Sequence, residues 1–103
     1  MSDIKNHVLS IVKQLENPDL IDWQDEENQT AFDYISDALD IQYIVNGDKE
    51  YIGARILVSF GGPNIWINTQ YNQVEGYWWG DSSTFHYKDG LGLDEACREL
   101  FHC

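Results

Sequence analysis

The stretch GGPNIWINTQYNQVEGYWWGDSS, residues 61–83, decides how the chain folds. It carries three of the four tryptophans, two tyrosines and only two charged residues, and it is bracketed by Gly-Gly-Pro-Asn and Gly-Asp-Ser-Ser turn signals. Residues 65–69 and 74–79 read as two strands joined by a hairpin near Tyr71-Asn72. Successive strand residues point to opposite faces, so Trp78 and Trp79 cannot both enter one core. With a loop of two or four residues, facing positions have numbers of opposite parity. Ile65, Ile67, Gly76 and Trp78 then share one face, and Trp66, Asn68, Glu75, Tyr77 and Trp79 share the other; a three-residue loop would exchange these partners. The first set is apolar and small enough to lie under helices. The second is an amphipathic aromatic set, of the composition enriched at protein interfaces.

The pattern on either side of the hairpin completes the architecture. Upstream, residues 41–45 and 51–60 alternate as strands around an Asn46-Gly47-Asp48 turn. Before them, Ile4, Val8, Ile11, Val12 and Leu15 form one stripe of a helix capped by Ser2 or Asp3 and ended by Asn17-Pro18. An acidic loop over residues 19–29 holds a single apolar anchor, Trp23. A second helix is expected over residues 28–39, with Ala31, Phe32, Ile35, Ala38 and Leu39 on one side and Asp33, Asp37 and Asp40 on the other. Downstream, residues 80–91 are irregular apart from a short strand at 85–87, and residues 93–102 close the chain as a helix. The order α-α-β-β-β-β-α predicts a single α+β domain, with helices on one face of an antiparallel meander of three to five strands.

Charge is the strongest global property. Eighteen acids stand against six bases, a net charge of −12 in 103 residues. Between residues 14 and 48 there is no Lys or Arg, while ten acids fall in that window: Glu16, Asp19, Asp22, Asp25, Glu26, Glu27, Asp33, Asp37, Asp40 and Asp48. Such a field repels nucleic acid and anionic membranes and attracts basic surfaces. A net charge of magnitude about 2–8 suffices to keep a small domain soluble, so −12 exceeds what solubility asks. No run of about 18 apolar residues is present to span a bilayer, and the start MSDIKNHVLS lacks the pattern of a secretory signal. The expectation is a soluble protein of the host-cell cytoplasm with no cofactor and no metal. Cys97 reads as a small buried apolar residue and Cys103 as a tail residue, while His86, His102 and Cys103 have no metal-site spacing.

Catalytic chemistry finds little support. Asp81, Ser82 and His86 place an acid, a hydroxyl and an imidazole close in sequence, beside the tryptophans. A nucleophile needs its base at hydrogen-bonding distance, about 2.6–3.2 Å, which neighbours along a loop seldom reach. No nucleophile elbow, zinc-protease helix, phosphate loop or dinucleotide fingerprint accompanies them. The expectation is a protein that is not an enzyme. A small-ligand or enzyme module built on Asp81, Ser82 and His86 is the rival reading.

The acidic residues themselves are the expected working part. On a helix rising about 1.5 Å per residue, Asp33, Asp37 and Asp40 recur every 5–6 Å or so, a spacing of the order of that between phosphates along a DNA strand. Asp22, Asp25, Glu26 and Glu27 extend the row from the preceding loop. Carboxylates so arranged can occupy a Lys/Arg groove that has evolved for a phosphate backbone, because the affinity of such a groove is mainly electrostatic. Trp66, Tyr77 and Trp79 would add the aromatic part of the contact.

The short acidic chain, its GGPNIWINT turn-strand and its VEGYWWGDSS strand together resemble small proteins encoded by phages, prophages and other mobile elements, over about residues 60–83. Among these, acidic anti-CRISPR and antirestriction proteins act by occupying nucleic-acid sites, and immunity proteins of nuclease toxins use the same physics. The resemblance implies an inhibitor whose partner is a basic nucleic-acid-binding protein, a nuclease or a defence complex, and which does not itself bind nucleic acid. A phage structural or assembly protein, forming a homodimer or larger regular oligomer, is the third reading.

Overall fold

The computed structural model describes residues 3–23 and 29–103; the expected site residues Asp25, Glu26 and Glu27 lie outside these. The chain runs α1 (Asp3–Glu16), a 3-10 turn (Pro18–Leu20), α2 (Ala31–Ser36), β1 (Asp40–Val45), β2 (Tyr51–Ser59), β3 (Asn64–Asn68), β4 (Gln73–Trp78), β5 (Asp81–His86) and α3 (Leu93–Phe101). The five strands form one antiparallel meander in the order β1-β2-β3-β4-β5. This is the α+β fold that the change of period predicts, with five strands rather than four. No helix among the described residues is long and apolar enough to cross a membrane.

The β3–β4 hairpin has the even loop. Ile65 faces Gly76, Trp66 faces Glu75 and Asn68 faces Gln73, leaving residues 69–72 as a four-residue connection. The Asn68 side chain holds that connection by accepting hydrogen bonds from the backbone N–H groups of Gln70 and Tyr71, an Asx turn. Ile65, Ile67, Val74 and Gly76 therefore look toward the helices. Ile67 and Val74 are fully buried, in one cluster with Ile4, Val8 and Leu15 of α1, Ile56 of β2 and Leu93 and Cys97 of α3. α1 lies over β4 and β5, α3 over β2, and α2 against α3.

Gly76 sets how closely α1 approaches the sheet. A Cβ at this position would stand 2.5 Å from a methyl of Val8 and 2.8 Å from the terminal methyl of Ile4. Beside it, the ring of Trp78 meets His7 edge-on at 5.9 Å. The helix stripe and the alternating strand thus meet at the residue where the sheet carries no side chain.

A part-buried polar cluster fastens α3 to the sheet. The Asp94 carboxylate accepts hydrogen bonds from Tyr51 (2.8 Å) and Thr69 (2.9 Å), and the Thr69 hydroxyl in turn accepts from the N–H of Ala54. Asp89 caps the N-terminus of α3, accepting from the N–H groups of Gly92, Leu93 and Asp94. Both carboxylates are half-buried and hydrogen-bonded within the fold.

The second helix is shorter than expected. Of the helix expected over residues 28–39, the described residues form only α2, which ends at Ser36, and the N–H of Leu39 already donates to Leu57 of β2. Pairing with the sheet has overridden local helix propensity. Phe32 and Leu39, both expected on the apolar side of this helix, are exposed, while Ala31 and Ile35 enter the core.

Candidate functional site

The shortened α2 breaks up the expected row of carboxylates. Asp33 sits in a capping box: its side chain accepts from the N–H and hydroxyl of Thr30, while the Thr30 hydroxyl accepts from the N–H of Asp33. These hydrogen bonds hold the Asp33 carboxyl below its ordinary pKa. Asp37 follows the last residue of α2 as its C-cap, and Asp40 begins β1 facing Leu57. Three positions expected on one helix have become part of a cap, a helix end and a strand start, so the regular phosphate-like spacing is lost.

Asp22 and Asp37 are nonetheless brought together, on the helical side of the molecule. They stand with Ile11 of α1, Ile21 and Trp23 of the segment after the 3-10 turn, Tyr34 and Ala38, and Val58 of β2, around a groove of about 210 Å³. Both aspartates are exposed, which puts them at its rim. Trp23 is fixed in place by donating its indole N–H to the carbonyl of Pro18 at 2.9 Å. Burial pushes the Tyr34 phenol up to about 12. On the other side of α2, Glu95 and Glu99 of α3 flank the exposed Phe32.

Pairing consumes little of the acidic charge. Among the described residues the ion pairs are Arg55–Glu75 at 3.4 Å and the i,i+4 pair Arg98–Asp94 at 3.8 Å. Asp22, Asp37, Asp40, Glu95 and Glu99 are all exposed and take part in neither.

The aromatic residues divide into three environments. Trp66 lies on the sheet face away from the helices, directly across from both Leu57 and Glu75. The Arg55 guanidinium stacks 4.3 Å from the centre of its ring and reaches Glu75, so Trp66 is half-covered by a cation–π contact and an ion pair. Tyr77, on the same face, is 42% exposed. Trp79 is not on that face. β4 ends at Trp78, which pairs with Asp81, and Trp79-Gly80 form the two-residue turn into β5. Both turn residues have positive φ, 53° and 80°, the geometry of a type I′ turn. Trp79 is 90% exposed at its tip.

The neighbouring turn, residues 60–63, lies at the same end of the meander and carries Phe60, 73% exposed. An open cleft of about 420 Å³ separates the two turns, lined by Asn64, Tyr77, Trp79, Asp81 and Ser82 among others. His86 does not line it. It lies four residues beyond Ser82 on β5, about 13 Å along an extended strand, and is paired with Gln73. Asp81, Ser82 and His86 are therefore not assembled as one hydrogen-bonded set.

Trp23 reads as an apolar anchor in the sequence, but nothing there predicts Tyr34 or the groove that both share with Asp37. Glu95 and Glu99 also escape a reading of the sequence centred on residues 14–48; their i,i+4 spacing on the last helix is the available signal. Comparison with protein-family models, with curated proteins and with solved structures finds no match to this chain.

Proposed function

We propose that this protein is a non-enzymatic binding protein that engages a basic partner, in the manner of mobile-element inhibitors that cover the nucleic-acid-binding surface of a nuclease or defence complex. One observation carries the reading: among the described residues the ion pairs occupy two acids, Glu75 and Asp94, and Asp22, Asp37, Asp40, Glu95 and Glu99 stand exposed outside them. Long-range attraction from this charge raises the association rate with a basic surface, and contacts of shorter range hold the complex. Regular spacing of carboxylates along one helix is not part of the proposal, because α2 ends before Asp37 and Asp40 already belongs to β1. The exposed acids provide attraction; Trp79, Tyr77 and Phe60 at the end of the sheet provide apolar contact area.

Capture of partners from a bacterial lysate at low and high salt tests the reading, with a variant carrying Asp40→Lys, Glu95→Lys and Glu99→Lys. Captured proteins should be basic, released by salt and lost from the variant. Capture that is unchanged in the variant at low salt contradicts it. A small-ligand module has one observation in its favour, the cleft that Asp81 and Ser82 line beside Trp79. Quenching of Trp79 fluorescence by a small molecule, saturable and abolished by Asp81→Ala, would favour that module instead.

A further inference from the structure

The groove between α1, the segment after the 3-10 turn and α2 combines an apolar wall with an acidic rim. Its walls are apolar and aromatic, from Ile11, Trp23, Tyr34 and Val58, and its rim carries Asp22 and Asp37. Neither carboxylate is in an ion pair among the described residues. A purely apolar occupant would gain nothing from the two aspartates and would leave them beside a surface from which water has been removed. An anionic occupant would be repelled. Residues 24–28, the neighbouring chain, hold three acids and no base, the wrong sign for this rim. What matches both wall and rim is a side chain with an apolar stem and a cationic head. Arginine fits best: its guanidinium is planar, stacks on aromatic faces, is weakly hydrated and can bridge carboxylates through several N–H donors.

We propose that this groove receives an arginine side chain presented by a basic protein partner, whose stem lies between Trp23 and Tyr34 while its guanidinium meets Asp22 and Asp37. The site rests on the reading of the protein as an acidic binding module, and it gives that reading a defined point of contact. Trp23 is held by its indole hydrogen bond to Pro18, so one wall is positioned before a partner arrives and less ordering is lost on binding.

The indole N–H resonance of Trp23 supplies the test. The probes are N-acetyl-arginine amide and N-acetyl-norleucine amide, titrated into the full chain. The arginine derivative should shift this resonance saturably and bind at least tenfold more tightly than the norleucine derivative. The double variant Asp22→Asn/Asp37→Asn should reduce its binding to the norleucine level, while Asp3→Asn/Asp48→Asn, which removes the same charge elsewhere, should leave it within about twofold. Ala38→Trp, which fills the groove without altering charge, should abolish the shift. Equal binding of the two probes, or an equal loss in both double variants, overturns the proposal, as does the absence of any saturable shift. If the arginine probe fails while salt-sensitive partner capture persists, the groove falls and the acidic-module reading stands. If the probe binds but capture does not depend on Asp40, Glu95 and Glu99, the module reading falls instead.

Discussion

Trp78 and Trp79 are adjacent in the chain yet meet opposite fates: the Trp78 ring packs edge-on against His7, whereas Trp79 stands 90% exposed at the tip of the β4–β5 turn. Trp79 also adopts φ 53°, a conformation that bulky residues avoid and that asparagine accepts readily. The fold tolerates a strained backbone and an exposed indole at one position. Trp79→Asn should therefore raise stability in urea by about 1 kcal/mol, with the helical signal unchanged. The same variant should dissociate faster from a captured partner. A loss of stability would mean that the indole is structural.

The close approach of α1 to β4 predicts an opposite effect at Gly76. A side chain here meets Val8, whose branched Cβ leaves it little room to turn away. Gly76→Val should cost about 1–3 kcal/mol through overpacking, measured by chemical denaturation. Gly47, where an added Cβ would meet nothing within 4 Å, is the matching control. Near-equal effects at the two sites would contradict the described fit of helix to sheet.

Acid should loosen the start of α2. The Asp33 carboxyl lies below its ordinary value of 3.8 because Thr30 donates hydrogen bonds to it. A depressed carboxyl contributes stability that is fully present above the unfolded-state value and is lost as pH falls through the folded-state value. The stability difference between the wild type and Asp33→Asn should thus be constant at neutral pH and shrink below about pH 4. A difference that persists unchanged into strong acid contradicts the capping role.

The two cysteines should differ sharply in reactivity. Burial pushes the Cys97 thiol up to about 12, so it stays protonated near pH 8, while Cys103 is exposed. Iodoacetamide should label the native chain once, at Cys103, and the urea-unfolded chain twice. Prompt labelling of Cys97 in the native protein would show that α3 opens readily.

The hairpin and α1 are legible in the sequence because each is governed by a local period. Strand parity with an even loop separates Ile65, Ile67 and Gly76 from Trp66 and Tyr77; the sequence leaves the loop length open, and the four-residue connection settles it. The end of β4 is harder, since Trp-Gly is not an obvious type I′ pair, and Trp79 reads as a strand residue. Residues 37–40 mislead for a different reason: their helical pattern is real, but the backbone of Leu39 is claimed by Leu57. The acidic charge can be read directly; its arrangement cannot. Asp22 and Asp37 line one groove only because four separate segments, around residues 11, 22, 36 and 58, converge there.

On the proposed function, the acidic surface competes with nucleic acid for a basic partner. The direct measurement is capture of lysate partners in the presence of increasing double-stranded DNA or RNA, followed by nucleic-acid binding of the captured protein with and without this chain. Nucleic acid should displace the captured protein, and the chain should in turn suppress nucleic-acid binding, both effects weakening as salt rises. Simultaneous binding of the partner to nucleic acid and to this chain, with no mutual displacement, would contradict the proposed competition.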